Sequence, residues 1–353
     1  MTTDRPETDT GPATLADRRR VRWGVLGAAA IAREKVIPAM QRGECTEVVA
    51  IASRDERRAR EAADALGIPR AYGSYEELLA DPEVDAVYNP LPNHLHVPWS
   101  IRAAEAGKHV LCEKPVGLSV AEVRELIAVR DRTGVQIGEA FMARVHPQWL
   151  ETRRLVRAGQ LGELRLVTGH FSYFKRDPEN IRSKPEYGGG ALWDIGCYPV
   201  TLSRFLFDEE PRRVLALVER DPEMGVDRLT AGLLDFPSGQ ASFTCSMQLV
   251  PFQRMQVMGT RARVEVEIPY NAPPDRPCRL LLDEHGPLGP PPKVIEIPAV
   301  DQYTLQGDLF SLAVLGRGSV PVPLEDSIRN TAVLTALFRS AETGRWEAPE
   351  AVK

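Results

Sequence analysis

Three residues of this 353-residue chain have the chemistry to move a proton beside a reacting carbon: Lys114, Asp194 and Tyr198. Lys114 stands in "VLCEKPVGLS" (Val110–Ser119), where an apolar run ends in Glu113, Lys114 and Pro115. Adjacent strand residues point to opposite faces, so Glu113 and Lys114 are not expected to pair with each other. A lysine at the carboxyl end of a strand can donate to a substrate oxygen and lower the pKa of a nearby acid group. Pro115 stiffens the backbone behind it and admits a cis bond. Asp194 and Tyr198 lie four apart in "YGGGALWDIGCYPV" (Tyr187–Val200), a spacing that puts them on one helix face. A phenol of pKa about 10 is a poor base at neutral pH, and a neighbouring ammonium moves it toward use. The three residues form a proton-transfer set; by spacing alone a structural Asp–Tyr pair fits equally well.

Such chemistry needs a hydride carrier, and the first loop has the pattern of a phosphate cradle. "GAAAIA" (Gly27–Ala32) is a relaxed G-x-G-x-x-G/A. Gly27 permits the tight turn, Ala29 allows backbone to approach a pyrophosphate, and Ala30 and Ile31 open the helix whose N-terminus faces it. The second strand ends in "SRDERR": Ser53, Arg54 and, one turn on, Arg57 and Arg58. A hydroxyl and guanidinium groups suit a 2′-phosphate, which favours NADP over NAD. Asp55 works against this, since a small register shift would bring an acid to the ribose. The loop "NPLPNHLH" follows the strand Asp85–Leu91 and supplies Asn89, Leu91, Pro92 and His94 as cofactor-lining candidates, joined by Glu113 at the strand end. No Cys or Asp cluster accompanies the histidines, so no metal site is expected.

The elements that must position these residues follow two grammars. Across residues 21–142, apolar runs (Val21–Ala28, Glu47–Ser53, Asp85–Leu91, His109–Glu113, Val135–Ala140) alternate with helical segments. Two of those segments open with a capping box, Ser74 with Glu77 and Ser119 with Glu122. This predicts a doubly wound parallel sheet, a Rossmann domain. Residues 143–353 read as α+β: one helix, then near-consecutive strands with turn signals at "FPSGQ" and "GTRAR", then helices near Thr304–Leu315 and Glu325–Ala341. A large, mainly antiparallel open sheet with one buried face is expected there. Residues 1–20 read as a disordered tail without a signal peptide. A net charge of −5 argues against nucleic acid or anionic membrane as a partner, and no apolar stretch is long enough to span a bilayer. Five scattered cysteines without a C-x-x-C pair suit a reducing, cytoplasmic setting.

The first-strand Gly motif, "LPNHLH", "AGKHVLCEKP", "GGGALWDIGCY" and "DQYTLQGDLF" together resemble the Gfo/Idh/MocA oxidoreductases from Val21 to Trp346. The resemblance implies a Rossmann domain, a second domain whose open sheet forms oligomer contacts, and a catalytic lysine at the EKP position, Lys114. Where many inositol-dehydrogenase-like members carry histidine, this chain has Tyr198. In that it is more similar to the NADP-dependent xylose dehydrogenase, dihydrodiol dehydrogenase, glucose–fructose oxidoreductase and sugar ketoreductase branches. The implied activity is NADP-dependent hydride transfer at a CH–OH or carbonyl carbon of an aldose or related cyclic polyol, with Arg176, Trp193 and Tyr303 as candidates for the sugar site. A homodimer or tetramer is expected through the C-terminal sheet. Two other readings stand beside this: a biosynthetic ketoreductase of a nucleotide-linked deoxysugar, for which no clear basic patch is visible, and a non-catalytic NADP sensor, which would be expected to lack Lys114 or Tyr198.

Overall fold

A computed structural model describes residues 19–352, so most of the expected tail lies outside the described residues. The first sheet has six strands: β1 (Val21–Leu26), β2 (Thr46–Ala52), β3 (Arg70–Tyr72), β4 (Ala86–Asn89), β5 (His109–Glu113) and β6 (Ile137–Ala140). All pair in parallel in the order β3-β2-β1-β4-β5-β6. The order reverses between β1 and β4, and a crevice opens beyond the carboxyl ends at such a point. The strand β3 has no apolar run to announce it; it is a short edge strand with half-exposed side chains.

The crossovers are α1 (Ile37–Gln41, entered through a π-helical turn at Ala32–Val36), α2 (Glu56–Leu66), α3 (Tyr75–Ala80), α4 (His96–Glu105) and α5 (Val120–Thr133). Both expected caps form. Ser74 Oγ accepts from the N–H of Glu77 at 3.2 Å and Ser119 Oγ from that of Glu122 at 3.2 Å. Each glutamate reaches back to the N–H just before its cap, Gly73 at 3.1 Å and Leu118 at 2.8 Å.

The second sheet follows α6 (Pro147–Arg157). It comprises β7 (Leu164–Phe174), then, after α7 (Cys197–Phe207), β8 (Arg213–Arg220), β9 (Asp227–Asp235), β10 (Gln240–Ser246), β11 (Gln248–Gly259), β12 (Arg263–Val266), β13 (Cys278–Asp283) and β14 (Lys293–Ile297). Its order is β14-β13-β12-β11-β7-β10-β9-β8. Every pair is antiparallel except β7 with β10, so the sheet is mixed. Both turn signals close hairpins, with Phe236 N–H donating to Gly239 at 2.9 Å and Gly259 to Ala262 at 2.9 Å. One face is covered: Val167, Phe171, Phe243, Val257 and Val264 share a core with Trp149 of α6 and Val200 of α7. On the other face one row crosses all eight strands: Leu215, Leu233, Ser242, Thr168, Gln256, Glu265, Leu281 and Val294.

The last two helices, α8 (Gln302–Val314) and α9 (Leu324–Thr343), return to the first sheet. Phe310 packs on Trp23 at 5.6 Å, and the Trp23 indole donates to Ser311 Oγ at 3.1 Å. Leu324, Ile328 and Ala332 of α9 join the core under α4 and α5. These contacts bring the two sheets together at one crevice. Among the described residues no helix is long and apolar enough to cross a membrane.

Candidate active site

The crevice is a cavity of about 1440 Å³ between the carboxyl ends of the parallel strands and the covered face of the second sheet. Its floor is the backbone from Gly27 to Ile31. Gly27 has φ +92°, and a Cβ there would sit 3.0 Å from Leu91 Cδ2. A side chain would be strained in conformation and would crowd the cradle, which fits a group whose phosphates approach the backbone.

Ser53, Arg54, Asp55 and Arg58 form the rim beside this floor. The Asp55 carboxylate accepts from the N–H groups of Arg57 at 3.0 Å and Arg58 at 3.3 Å, capping α2. Its Oδ1 is therefore engaged with its own helix, while Arg54, whose side chain hydrogen-bonds Tyr75, and Arg58 also line the cavity. Arg57 does not line the cavity; it lies 3.8 Å from Glu61.

Lys114, Asp194 and Tyr198 meet in the wall of the same cavity, as their types suggested. Lys114 follows β5 directly, and its bond to Pro115 is cis. Asp194 belongs to a π-helical turn (Leu192–Gly196) and Tyr198 to the first turn of α7. The Lys114 ammonium donates to the Asp194 backbone carbonyl at 2.6 Å and lies 3.3 Å from its carboxylate. Two further groups hold that carboxylate: the Tyr173 hydroxyl donates at 2.6 Å, and Arg182 Nε stands 2.9 Å away. Burial alone would raise the Asp194 pKa, but Arg182 and Lys114 override it and hold the acid well below the carboxylate range. Burial likewise works against the Lys114 ammonium, and Asp194 reverses the balance, so its pKa is raised.

Tyr198 sits in an aromatic box, with ring centroids 4.8 Å from Phe141, 5.6 Å from Phe171 and 5.4 Å from Tyr270. Its hydroxyl faces Met142 Sδ at 3.5 Å. Lys114 lies over the ring face, 5.2 Å from the centroid, and not at the hydroxyl. The expected lowering of the phenol is therefore not what this geometry gives. Burial pushes the Tyr198 pKa well above its ordinary value, reinforced by Tyr303 and other negative-going neighbours. The resting group is a neutral O–H. Glu113 also lines the cavity and accepts from Tyr88 at 2.6 Å; burial raises its pKa.

Of the other expected positions, Gly27, Ala29, Ala30, Ile31, Leu91, Pro92 and Tyr303 border the cavity. Four do not. Asn89 is buried, and its amide donates to His96 O at 3.0 Å and Ser100 Oγ at 3.1 Å, shaping the loop from behind. His94 stacks on Tyr187, with ring centroids 4.3 Å apart. Arg176 pairs with Glu223 at 2.7 Å and Asp221 at 3.5 Å, away from the cavity. Trp193 is buried against Phe338. In their place the wall includes His96, Tyr173, Lys175 and Arg182. A second histidine in "NPLPNHLH" was a visible signal for His96; Tyr173 and Arg182 have none, since the loop that carries Arg182 is placed only by tertiary contacts.

A Gly-loop on a parallel sheet, sharing its cavity with a buried cluster of Lys114 from that sheet and Asp194 and Tyr198 from the helix packed on the second sheet, fits a nicotinamide-nucleotide oxidoreductase. The chain belongs to the Gfo/Idh/MocA oxidoreductases: residues 21–141 match the oxidoreductase family with an NAD-binding Rossmann fold, and residues 149–265 the GFO/IDH/MocA C-terminal domain. It is 50% identical to an oxidoreductase of Rhizobium meliloti, over 93% of this chain and 98% of that one. It is 40% identical to the NADP(+)-dependent D-xylose 1-dehydrogenase 2 of Haloferax volcanii, over 91% and 98%. Among solved structures, a 3-ketoreductase of Actinomadura kijaniata in complex with NADP and TDP-benzene superposes with a TM-score of 0.85 at 30% identity, over 91% and 98%. That reductase has also been solved with a tyrosine replaced by phenylalanine and with a lysine replaced by alanine or glutamate. The protein is thus an NAD(P)-binding oxidoreductase acting on CH–OH or carbonyl groups.

Proposed function

We propose that the chain is an NADP-dependent oxidoreductase of an aldose or related cyclic polyol, with Tyr198 and Lys114 handling the proton and Asp194 holding Lys114. The observation that carries this reading is the meeting of those three side chains in the cavity that Gly27–Ile31 also line. With the Gly27–Ile31 backbone holding its phosphates, a nicotinamide nucleotide would supply or accept the hydride. In reduction the neutral Tyr198 hydroxyl donates its proton to the substrate oxygen; in oxidation it takes that proton back. The Lys114 ammonium, which lines the same cavity, would donate to the substrate oxygen and offset the charge that develops there. Arg54 and Arg58 support NADP, as does the NADP dependence of the Haloferax relative.

A second reading, reduction of a keto group on a nucleotide-linked deoxysugar, gains from one observation. Lys175 and Arg182 both line the cavity, Arg182 while paired with Asp194, and the Actinomadura reductase was solved with TDP-benzene. Exposed leucines on the outer sheet face support a homo-oligomer. A panel of aldoses, dihydrodiols and TDP-linked sugars, followed at 340 nm with NADP and with NAD, tests the assignment. Turnover of an unmodified aldose with NADP is the expected result; turnover confined to TDP-sugars moves the assignment to the second reading, and no turnover removes both.

A further inference from the structure

The turn that leaves β5 is gripped on both sides of one peptide group. The N–H of Val116 donates to Glu139 Oε1 at 2.9 Å, and the carbonyl of Pro115 lies 2.7 Å from His96 Nδ1. Both contacts fall on the peptide group between Pro115 and Val116. One comes from β6 and the other from the start of α4, so two elements grip its two ends. The other ring nitrogen of His96 stands 2.7 Å from the Leu91 carbonyl. The imidazole is thereby wedged between the catalytic turn and the loop that borders the nucleotide cradle. Burial, the leading influence, pushes its pKa down to about 4, and a neutral ring has one N–H for these two carbonyls.

Glu139 has no part in the proton transfer, yet it is a carboxyl group buried at 5% exposure. Burial pushes its pKa up to about 7, against hydrogen bonds from Ser327 and Val116 and the nearby Arg204, with Asp326 adding to the rise. An apolar residue would avoid that desolvation, so the contact Glu139 makes is the reason to look for a role. The proline ring supplies the coupling. Pro115 has a fixed φ, so the only free torsion between the gripped amide and the Lys114 carbonyl is the ψ of Pro115. A displacement of the amide that ψ cannot absorb therefore shifts the Lys114 backbone.

We propose that Glu139 and His96 are positioning residues: they fix the Pro115–Val116 amide and thereby aim the Lys114 ammonium at Asp194 and the cavity. The inference rests on the reading of Lys114 as part of the reacting set. Neither residue touches the reacting atoms, and each acts through the backbone of the turn.

The test uses the full chain and two readouts. Amide hydrogen exchange at Val116, measured without substrate, should quicken about tenfold or more in Glu139→Leu and stay within about threefold of wild type in Glu139→Gln, which keeps an acceptor oxygen. Unchanged exchange in the leucine variant overturns the grip. Turnover of D-xylose with NADP, or of whichever sugar of the panel reacts fastest, should fall about tenfold to a hundredfold in kcat for Glu139→Leu, with KM within about twofold, and recover in Glu139→Gln. His96→Ala should lower kcat and also weaken NADPH binding, read by NADPH fluorescence, because it releases the Leu91 loop; His96→Asn should restore part of both. A wild-type kcat in Glu139→Leu, or a loss carried wholly by KM, overturns the positioning role. Should that variant not fold, the two histidine variants decide it by the same split. Lys114→Met separates the layers: if it turns over as fast as wild type, the catalytic reading fails, whereas a dead Lys114→Met beside unaffected Glu139 and His96 variants sinks only the positioning claim.

Discussion

Tyr198 is buried in an aromatic box, and its raised pKa keeps the hydroxyl protonated across the neutral range. The sign of the pH dependence follows. Oxidation needs the deprotonated form, so its rate should climb with pH through the range 7–9, while reduction, which needs the O–H, should stay level there. An oxidation rate indifferent to pH would remove Tyr198 as the base. Tyr198→Phe keeps the ring under Lys114 and loses only the hydroxyl; turnover should drop by about a hundredfold or more, with NADPH affinity nearly intact. At the rim, Arg54→Ala should raise the KM for NADP by roughly tenfold, the scale of one charge-assisted hydrogen bond, and leave that for NAD almost unchanged. An equal loss for both cofactors would end the argument that this arginine reads a 2′-phosphate.

Elements aim these residues, and the glycine loop before α7 shows how. Gly190 has φ +110°, and a Cβ there would lie 1.9 Å from Asp227 Oδ1. That same aspartate accepts from the Leu192 N–H at 2.7 Å, tying the start of the π-helical turn to β9. A Cβ on Gly189 would meet the Arg182 carbonyl at 2.4 Å, so the glycines also let the Arg182 segment lie close to the turn that carries Asp194. Gly190→Ala should therefore cost about 1–3 kcal/mol in stability, seen as a thermal midpoint lowered by a few degrees. It should also cost activity beyond that loss, because Asp194 and Lys114 would shift together. A variant as stable and active as wild type would show that the loop has another way to relax.

At the scale of the whole molecule, the second sheet covers one face and leaves the other open. Leu217 is 77% exposed and Leu233 45%, on the strands at one end of that open face. If the face joins two copies, Leu217→Arg should shift the chain to a lighter species in light scattering, with NADPH binding retained; an unchanged mass would place any interface elsewhere. The two sheets themselves were legible in the sequence because their patterns differ. Buried parallel strands leave unbroken apolar runs, as in β5, while one-sided strands alternate, as in "RVEVEI". Lys114, Asp194 and Tyr198 were legible for a similar reason, since unusual residue types sat at strand and helix ends beside Pro and Gly. The sequence by itself thus determined the fold class and pointed to the Gly27 loop and to the cluster of Lys114, Asp194 and Tyr198, all of which depend on local periodicity and short-range spacing. Only the tertiary structure decided that Lys114 spends its charge on Asp194 and the face of Tyr198, that Arg182 and Tyr173 complete that cluster, and that Asn89, His94, Arg176 and Trp193 stand outside it. Those outcomes depend on which groups from distant segments share a buried volume, and burial and charge pairing there decide protonation in a way that no local spacing encodes.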